Sequence, residues 1–228
     1  SPTILNREDL KDLVDKLKIL FDWSNVGNFT IESDPRRVDE DRLLYNAKVC
    51  SANRISFGMQ DFDPNVQRRV NRIQPANLFK KILTKEVRKL YKTIAFDLLI
   101  GQPGQTPETM AKTCDQIVEL QPTLVQLSLM AYKPWVAKYQ IKMVAEGPLP
   151  DFLERRELME VIHKKLREGG YIRVGFESYA LPDDPMTKAF REGTAWYAST
   201  GHQPGGRVNY IAVGSSSKSN LGDDYYAQ

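Results

Sequence analysis

Polar side chains inside or directly after apolar segments are the residues of this sequence best suited to chemistry. Asp97 lies within the apolar run at residues 94–100, where a carboxylate without a partner is costly to bury. Similar polar residues stand in or at the ends of the other β-favourable segments, namely Glu32, Gln60 with Asp61, Gln126 or Ser128, and Glu177. Beside an arginine, two carboxylates and an amide could bind hydroxyls, an ammonium group and a carboxylate. Such a set suits a zwitterionic nucleoside better than a bare phosphate.

Each of these residues also has a structural interpretation. Asp97 could cap the amides of a neighbouring loop, or it could form an ion pair with Arg72 or Lys92. Taken singly, Glu32 and Gln60 fit a structural role as well as a functional one. The functional hypothesis therefore depends on these side chains lying together in the fold.

Other kinds of reaction find little support in the sequence. The loop at residues 101–105 has neither the spacing of a P-loop nor that of a dinucleotide fingerprint. His163 lies in a helical segment of mixed polarity and His202 in a loop rich in Gly and Pro, so both are interpreted as surface or capping residues. No serine or cysteine stands in a nucleophile elbow with a matched histidine. Cys50 and Cys114 are far apart and lack a metal-ligand spacing such as C-x-x-C.

The composition sets outer limits on the fold and on the partners. With 228 residues, the chain can form one large domain or two small ones, and a complete α/β barrel needs about 250. Hydrophobic residues make up 41% and charged residues 27%, which excludes disordered, collagen-like and coiled-coil proteins. The net charge of +3 gives no indication of nucleic-acid binding. No membrane span or secretory signal is recognisable, so we expect a cytoplasmic protein.

Helical and β-favourable segments alternate from residue 6 to residue 177, which predicts a parallel sheet with crossover helices. The predicted strands are residues 28–33, 54–60, 93–100, 124–131 and 171–177. Because about five strands are too few to close an eight-stranded barrel, the α/β fold expected is a partial (βα) barrel with an open, curved parallel sheet and outer helices. The expected domains are this partial barrel at residues 1–198 and an irregular extension at 199–228, with a short strand near 208–213. Ligands are expected at the carboxyl ends of the strands.

Several blocks of sequence carry a family resemblance. These are TIESDP at residues 30–35, RISFGMQDF at 54–62, VQRRVNR at 66–72 and FDLLIGQPGQT at 96–106, followed by shorter blocks at 182–184, 191–193 and 222–228. In this order they resemble the radical S-adenosylmethionine enzymes of the oxygen-independent coproporphyrinogen III oxidase family. The resemblance covers nearly the whole chain.

The resemblance implies a cofactor site as well as a fold. Glu32, Gln60, Arg72 and Asp97 match the residues that contact S-adenosylmethionine in the family. Arg72 is expected at the methionine carboxylate, and Gln60 and Asp97 at the ribose hydroxyls. Leu99 and Ala131 match positions that pack on the adenine. A further group of residues for catalysis or for metal binding is not assigned.

The implied reaction is the oxidative decarboxylation of propionate side chains, which converts coproporphyrinogen III to protoporphyrinogen IX in haem biosynthesis. The family performs it with S-adenosylmethionine and a 4Fe-4S cluster. The implied partners are a tetrapyrrole substrate and an electron donor such as flavodoxin or ferredoxin, and the chain is expected to be a monomer. Nucleic acid and membrane are not expected as partners.

Three parts of the family pattern have no counterpart in these 228 residues. They are the C-x-x-x-C-x-x-C motif that holds the cluster, the glycine-rich turn that receives the amino group of S-adenosylmethionine, and the C-terminal helical domain. We therefore expect this chain alone to be inactive in radical chemistry. Two alternatives stay open, namely a relative that acts on another tetrapyrrole, as in anaerobic haem degradation, and a haem-binding chaperone.

Overall fold

The computed structural model describes residues 2–145, 147–198, 201–206 and 208–227. Ser1 and Gln228, which lie at the ends of the chain, are outside the described residues. The main sheet has six strands in the order β1-β2-β3-β4-β6-β5. These strands are β1 Thr30–Ser33, β2 Arg54–Gln60, β3 Thr93–Ile100, β4 Leu124–Leu129, β5 Ile172–Arg173 and β6 Ser178–Ala180. The first four are parallel neighbours, as the alternation of helices and strands predicts.

Helices connect the parallel strands and cover one face of the sheet. They are α1 Arg7–Leu20, α2 Glu40–Lys48, α3 Pro64–Arg69, α4 Ala76–Ile82, α5 Lys85–Leu90, α6 Pro107–Leu120, α7 Tyr139–Ala145, α8 Phe152–Glu168 and α9 Pro185–Arg191. The helix that follows β3 begins as the sequence indicates, because Thr106 caps it in a capping box with Thr109 and Pro107 occupies its first turn. The connection between β3 and α6, residues 101–106, is called the β3 loop below. It is short, and it is fixed at one end by β3 and at the other by the capped helix.

The outer face of the sheet forms the larger hydrophobic core. Phe57 of β2 and Phe96 of β3 are fully buried there against Phe79 of α4, with ring centroids 5.6 and 4.8 Å from that of Phe79. Side chains alternate between the two faces of a strand, so the neighbours of these aromatic residues point to the opposite, inner face. Because the outer face is buried in the core, only the inward-pointing residues of β1 to β4 can contribute to a ligand site.

The fifth strand differs from the prediction. Instead of one parallel strand at residues 171–177, the chain forms β5, turns, and returns as β6 antiparallel to β4. Gly175 has φ +106° in this turn, and the Arg173 side chain donates hydrogen bonds to the carbonyls of Gly175 and Phe176. A positive φ favours glycine, so the turn belongs at this point of the sequence. The sheet is consequently mostly parallel, with six strands.

Smaller departures lie near the end of the chain and after β4. The strand expected near residues 208–213 is reduced to a single bridge between Tyr210 and Asn220. Two hairpins stand beside the main sheet, one formed by β7 Trp196–Ala198 and β8 Gly201–Gln203, the other by β9 Lys218–Leu221 and β10 Asp224–Ala227. Helix α7 has no counterpart among the predicted elements. Within the described ranges, no helix combines the length and apolar character needed to cross a membrane.

Candidate functional site

Four neighbouring strands present polar residues on the inner face of the sheet. Glu32 of β1 is the register partner of Ser56 of β2, and Asp97 of β3 is the partner of Gln126 of β4. Ser56 and Asp97 belong to the same face because the Ser56 hydroxyl donates a 3.0 Å hydrogen bond to the Asp97 carboxylate. The alternation of each strand thus gathers groups that are far apart in sequence.

These residues border a cavity of about 300 Å³ at the carboxyl ends of β1 to β3. Its lining consists of Glu32, Ser33, Asp34, Ser56, Gly58, Gln60, Arg72 and Asp97. Four of the six predicted site residues therefore lie at one cavity. The position agrees with the general placement of ligands in parallel α/β folds.

The Gln60 side chain reaches this cavity because β2 ends irregularly. The register between β2 and β3 shifts between Phe57 and Gln60, and Gln60 has φ +68°. A bulge of this kind redirects a side chain, and a positive φ is uncommon outside glycine. At Gly58, a Cβ atom would lie 3.0 Å from both Arg72 Nη2 and Gln60 Nε2. A side chain at this position would press on the two groups.

Arg72 is fixed against the backbone of β2. Its Nη2 donates a 2.9 Å hydrogen bond to the Gly58 carbonyl, and its Nε donates one of 3.0 Å to Gln74 Oε1. The buried Gln74 is itself held by Gln67, whose Oε1 accepts from the Gln74 amide at 3.0 Å. Burial lowers the pKa of Arg72, although a guanidinium keeps its proton in proteins. Arg72 thus presents a positive charge whose Nη1 has no hydrogen-bond partner in the described part of the chain.

Asp97 is the most perturbed carboxyl group of the cavity. Burial raises its pKa to about 6, with a smaller contribution from the negative charge of Glu32. The Ser56 hydrogen bond and the charge of Arg72 act in the opposite direction. A carboxylate that is desolvated yet accepts a single hydrogen bond from the described residues has capacity for further donors. This is the state expected of a group that binds hydroxyls.

At the rim of the cavity, Asp34 is committed to another partner. The Arg36 side chain donates hydrogen bonds of 2.9 and 2.7 Å to the two Asp34 carboxylate oxygens. This contact holds the pKa of Asp34 at about 2. Asp34 is therefore ionised at neutral pH, and its charge is matched locally.

Asp61 follows Gln60 directly but serves a different purpose. It is 1% exposed and accepts hydrogen bonds from the Asp63 amide, Thr113 Oγ1 and Gln105 Nε2 at 2.8, 2.7 and 2.6 Å. Gln105 Oε1 in turn accepts from the amide of Gly101 at 2.7 Å. Asp61 thus ties the end of β2 to the β3 loop and to α6, and it is not part of the cavity lining.

The remaining predicted residues lie outside the lining of the cavity. Leu99 is half-buried on the same face of β3 as Asp97, two residues further on, and its carbonyl accepts from Gln105 Nε2 at 2.8 Å. Ala131 is exposed just after β4, and its carbonyl accepts from Gln140 Nε2 at 2.9 Å. Both stand near the carboxyl edge of the sheet. The contact with adenine that is predicted for these two residues would therefore be made outside the cavity lining.

Sequence reasoning did not single out Ser56 as a site residue. The signal available was its alternation with Arg54 and Gly58, which places it on the face opposite to Ile55 and Phe57. Its role, however, depends on the register between β2 and β3, which the sequence does not show.

The thiols do not form a metal site. Cys50 and Cys114 are both buried, and burial raises the pKa of each, that of Cys114 to about 12. A metal ligand must be a thiolate, which burial in apolar surroundings disfavours. Within residues 2–145, 147–198, 201–206 and 208–227, no three His, Cys, Asp or Glu side chains converge as a metal site would require. The residues described here do not fit a 4Fe-4S cluster.

Comparisons with known proteins find relatives that share one name. The oxygen-independent coproporphyrinogen III oxidase of Cereibacter sphaeroides is 32% identical over 225 residues, covering 99% of this chain and 49% of the relative. The Pseudomonas aeruginosa protein of the same name is 32% identical over 228 residues, with the same coverage. The solved structure of coproporphyrinogen III oxidase (HemN) from Escherichia coli, a radical SAM enzyme, matches with a TM-score of 0.89 at 30% identity. It covers 100% of this chain and 52% of HemN.

The chain is homologous to the oxygen-independent coproporphyrinogen III oxidases. The resemblance predicted from its sequence blocks is thereby confirmed along its whole length, and the mostly parallel α/β sheet matches that of HemN. The chain spans about half the length of the curated relatives that it matches. No protein-family model matches it.

Proposed function

We propose that this chain forms the S-adenosylmethionine-binding portion of an oxygen-independent coproporphyrinogen III oxidase. The observation that carries the proposal is the convergence of Glu32, Gln60, Arg72 and Asp97 on one cavity, in a chain that is homologous to these oxidases throughout. The working enzyme would decarboxylate propionates of coproporphyrinogen III. As the family resemblance implies, this enzyme would be a cytoplasmic monomer. Its electron donor would be a flavodoxin or a ferredoxin.

The chemistry of the lining fits S-adenosylmethionine. The Arg72 guanidinium suits the methionine carboxylate, since its free Nη1 complements the two hydrogen bonds that fix the group. Asp97 and Gln60 supply acceptors for the ribose hydroxyls, and Glu32 supplies a negative charge for the ammonium group. Gly58 keeps the space between Arg72 and Gln60 open. Leu99 and Ala131 are proposed to contact the adenine at the edge of the sheet.

In the complete enzyme, bound S-adenosylmethionine and a 4Fe-4S cluster would supply the radical that removes hydrogen from a propionate. The contribution of the present residues is to bind and orient the nucleoside and to hold its carboxylate. Because the chain has two cysteines and both are buried, we propose that it binds S-adenosylmethionine without cleaving it.

Calorimetric titration of the 228-residue chain with S-adenosylmethionine tests the proposal. We expect saturable binding that Arg72→Ala abolishes and that Asp12→Ala, on the exposed surface of α1, leaves unchanged. In parallel, the chain is reconstituted with iron and sulfide and assayed for visible cluster absorption and 5'-deoxyadenosine. Absence of S-adenosylmethionine binding would overturn the proposed site, and formation of 5'-deoxyadenosine would overturn the proposed inactivity. Haem binding without S-adenosylmethionine binding would favour a haem-binding chaperone instead.

A further inference from the structure

The β7–β8 hairpin approaches the inner face of the sheet beside β4 and β6 through two glycines. A Cβ atom on Gly201 would lie 3.1 Å from Gln126 Nε2 and 3.6 Å from Glu177 Oε1. A Cβ atom on Gly175 would lie 2.3 Å from Nε2 of His202, which is closer than any side chain tolerates. Both glycines have positive φ, +99° and +106°. The hairpin is therefore packed closely on the Gln126 and Glu177 side chains and on the backbone at Gly175.

The approach gathers polar groups next to the proposed cofactor cavity. Gln126 is the register partner of Asp97, so the two side chains stand one strand apart on the same face, about 5 Å between backbones. Ser178 is the partner of Gln126 on β6, and its hydroxyl is buried without a hydrogen bond. His202 Nδ1 is likewise buried and unpaired, although the residue is 8% exposed. Buried polar atoms without partners are costly, so the hairpin leaves two groups here that can accept further hydrogen bonds or donate them.

The same hairpin completes an exposed aromatic surface. The His202 ring lies edge-on to Tyr197, with centroids 4.9 Å apart at 81°, and it lies 6.0 Å from Phe176. Phe176 is 76% exposed and Tyr197 58% exposed. The Tyr197 hydroxyl is hydrogen-bonded to the Glu177 carboxylate. Aromatic faces and a carboxylate are thus presented together to solvent.

We propose that Gln126, Glu177, Tyr197 and His202 form a wall that binds a pyrrole ring of the tetrapyrrole substrate, with Phe176 extending its aromatic surface. This inference rests on the proposed function and adds the position of the substrate. A pyrrole ring has a π-face, which stacks on aromatic side chains, and an N–H donor, which suits the Glu177 carboxylate. Within this wall, Gln126 stands on the strand next to Asp97, so a bound ring would be next to the nucleoside.

A role confined to docking the hairpin accounts for less of the geometry. Such a role would bury the exposed rings of Phe176 and Tyr197 and would pair the His202 and Ser178 atoms, since both changes stabilise a folded chain. The structure shows the opposite at all four positions. The wall is therefore better explained by a ligand than by the fold.

The test is anaerobic calorimetric titration of the 228-residue chain with coproporphyrinogen III. We expect the substitutions Phe176→Ala and Tyr197→Phe each to weaken binding about 3- to 10-fold, the scale of one aromatic contact or one hydrogen bond. His202→Ala and Glu177→Gln should weaken it by about tenfold. The affinity for S-adenosylmethionine should change less than about twofold, because the cofactor residues are untouched. His163→Ala is the matched control, since His163 lies on α8 and contacts Tyr179.

The outcomes separate the wall from the proposed function. Unaltered coproporphyrinogen binding in Phe176→Ala and Tyr197→Phe, which change exposed groups and leave the core intact, would overturn the wall and leave the cofactor site standing. So would a chain that binds S-adenosylmethionine and no coproporphyrinogen. A parallel loss of both affinities in these two variants would show that the hairpin serves the fold, and would also overturn the wall. A wild-type chain that binds neither molecule would overturn both proposals.

Discussion

Asp61, which is buried, and Asp97, which is half-buried, are two carboxyl groups on adjacent segments of the sheet, and their surroundings differ. Asp61 accepts three hydrogen bonds, from the Asp63 amide, Thr113 and Gln105. Asp97 accepts one from the described residues, that of Ser56, and borders a cavity. Burial raises the pKa of both groups. Desolvation alone therefore does not distinguish a structural carboxylate from a binding one.

The number of donors supplied by the fold makes the distinction. A carboxylate has about four lone-pair positions, and the fold fills most of those on Asp61. On Asp97 it leaves most of them directed to a cavity that also contains a fixed arginine. The comparison teaches that an incompletely paired, half-buried carboxylate next to space and opposite charge is the better candidate for binding a ligand.

The largest effect is expected from removing the structural carboxylate. Asp61→Ala leaves three donors without their acceptor and releases the β3 loop, so the free energy of unfolding should fall by about 3 kcal/mol. Urea denaturation measures this change. Asp12→Ala, at an exposed position of α1, is the control and should stay within about 0.5 kcal/mol. A loss below about 1 kcal/mol for Asp61→Ala would contradict a structural role for this carboxylate.

Removing Asp97, the carboxylate proposed to bind the ribose, should instead lower the affinity for S-adenosylmethionine. Asp97→Ala loses two charge-assisted hydrogen bonds to the ribose, and we expect the affinity for S-adenosylmethionine to fall on the order of 100-fold. The folded chain should persist, which circular dichroism checks. An affinity within about threefold of wild type would remove Asp97 from the site.

The raised pKa of Asp97 predicts a pH dependence of binding. The carboxylate accepts from hydroxyls in its ionised form, and at a pKa of about 6 the ionised fraction falls roughly tenfold between pH 7 and pH 5. The affinity for S-adenosylmethionine should fall by a similar factor, with a midpoint near pH 6. Titrations at several pH values test this, and the residual binding of Asp97→Asn should be flat over the same range. A midpoint near pH 4 would mean that Asp97 is solvated in the free chain.

The same shift predicts a gain in stability when the charge is removed. Because the folded pKa of Asp97 is raised above that of the unfolded chain, the folded state binds more protons between pH 3.8 and about 6. Asp97 therefore lowers the free energy of unfolding as the pH rises through this window. Asp97→Asn should increase it by about 1 to 2 kcal/mol at pH 7, with the difference vanishing near pH 4. Equal stabilities at pH 7 in urea denaturation would contradict the raised pKa.

The smallest effect concerns the hydroxyl that supports Asp97. The Ser56 hydrogen bond lowers the pKa of Asp97, so Ser56→Ala should move the midpoint of the pH profile upward. At pH 6.5 the affinity for S-adenosylmethionine should fall a few-fold, and at pH 8 it should be close to that of wild type. An equal loss at both pH values would point to a direct contact between Ser56 and the ligand.

Much of the fold was predictable because its signals are local. The apolar runs that become β2 and β3 and the cap at Thr106 are readable in short windows of sequence, and the structure has them close to the expected bounds. The return of the chain as β6 was not predicted, because antiparallel pairing with β4 depends on residues about fifty positions apart. The turn at Gly175 was the available signal, and it was interpreted as part of a strand.

The residues of the candidate site could be predicted from the sequence, but the arrangement of their side chains could not. Glu32, Gln60, Arg72 and Asp97 were identified from their positions and from the resemblance, and the structure places all four at one cavity. Leu99 and Ala131 lie outside that lining, so their contact with adenine stays a prediction. The bulge that turns Gln60 inward depends on strand register, which sequence alone does not define.

The sequence by itself determined the parallel βα order, the face on which polar residues alternate with core residues, and the resemblance to the oxidases. These properties follow from periodicity and from blocks of neighbouring residues. The tertiary structure alone decided how many hydrogen bonds each carboxylate accepts, three at Asp61 and one from the described residues at Asp97. Two of the three donors to Asp61 come from residues 44 and 52 positions away, and the donor to Asp97 comes from 41 positions away. Such pairings depend on the register of the sheet and on the packing of helices against it, because these bring distant side chains within hydrogen-bond distance.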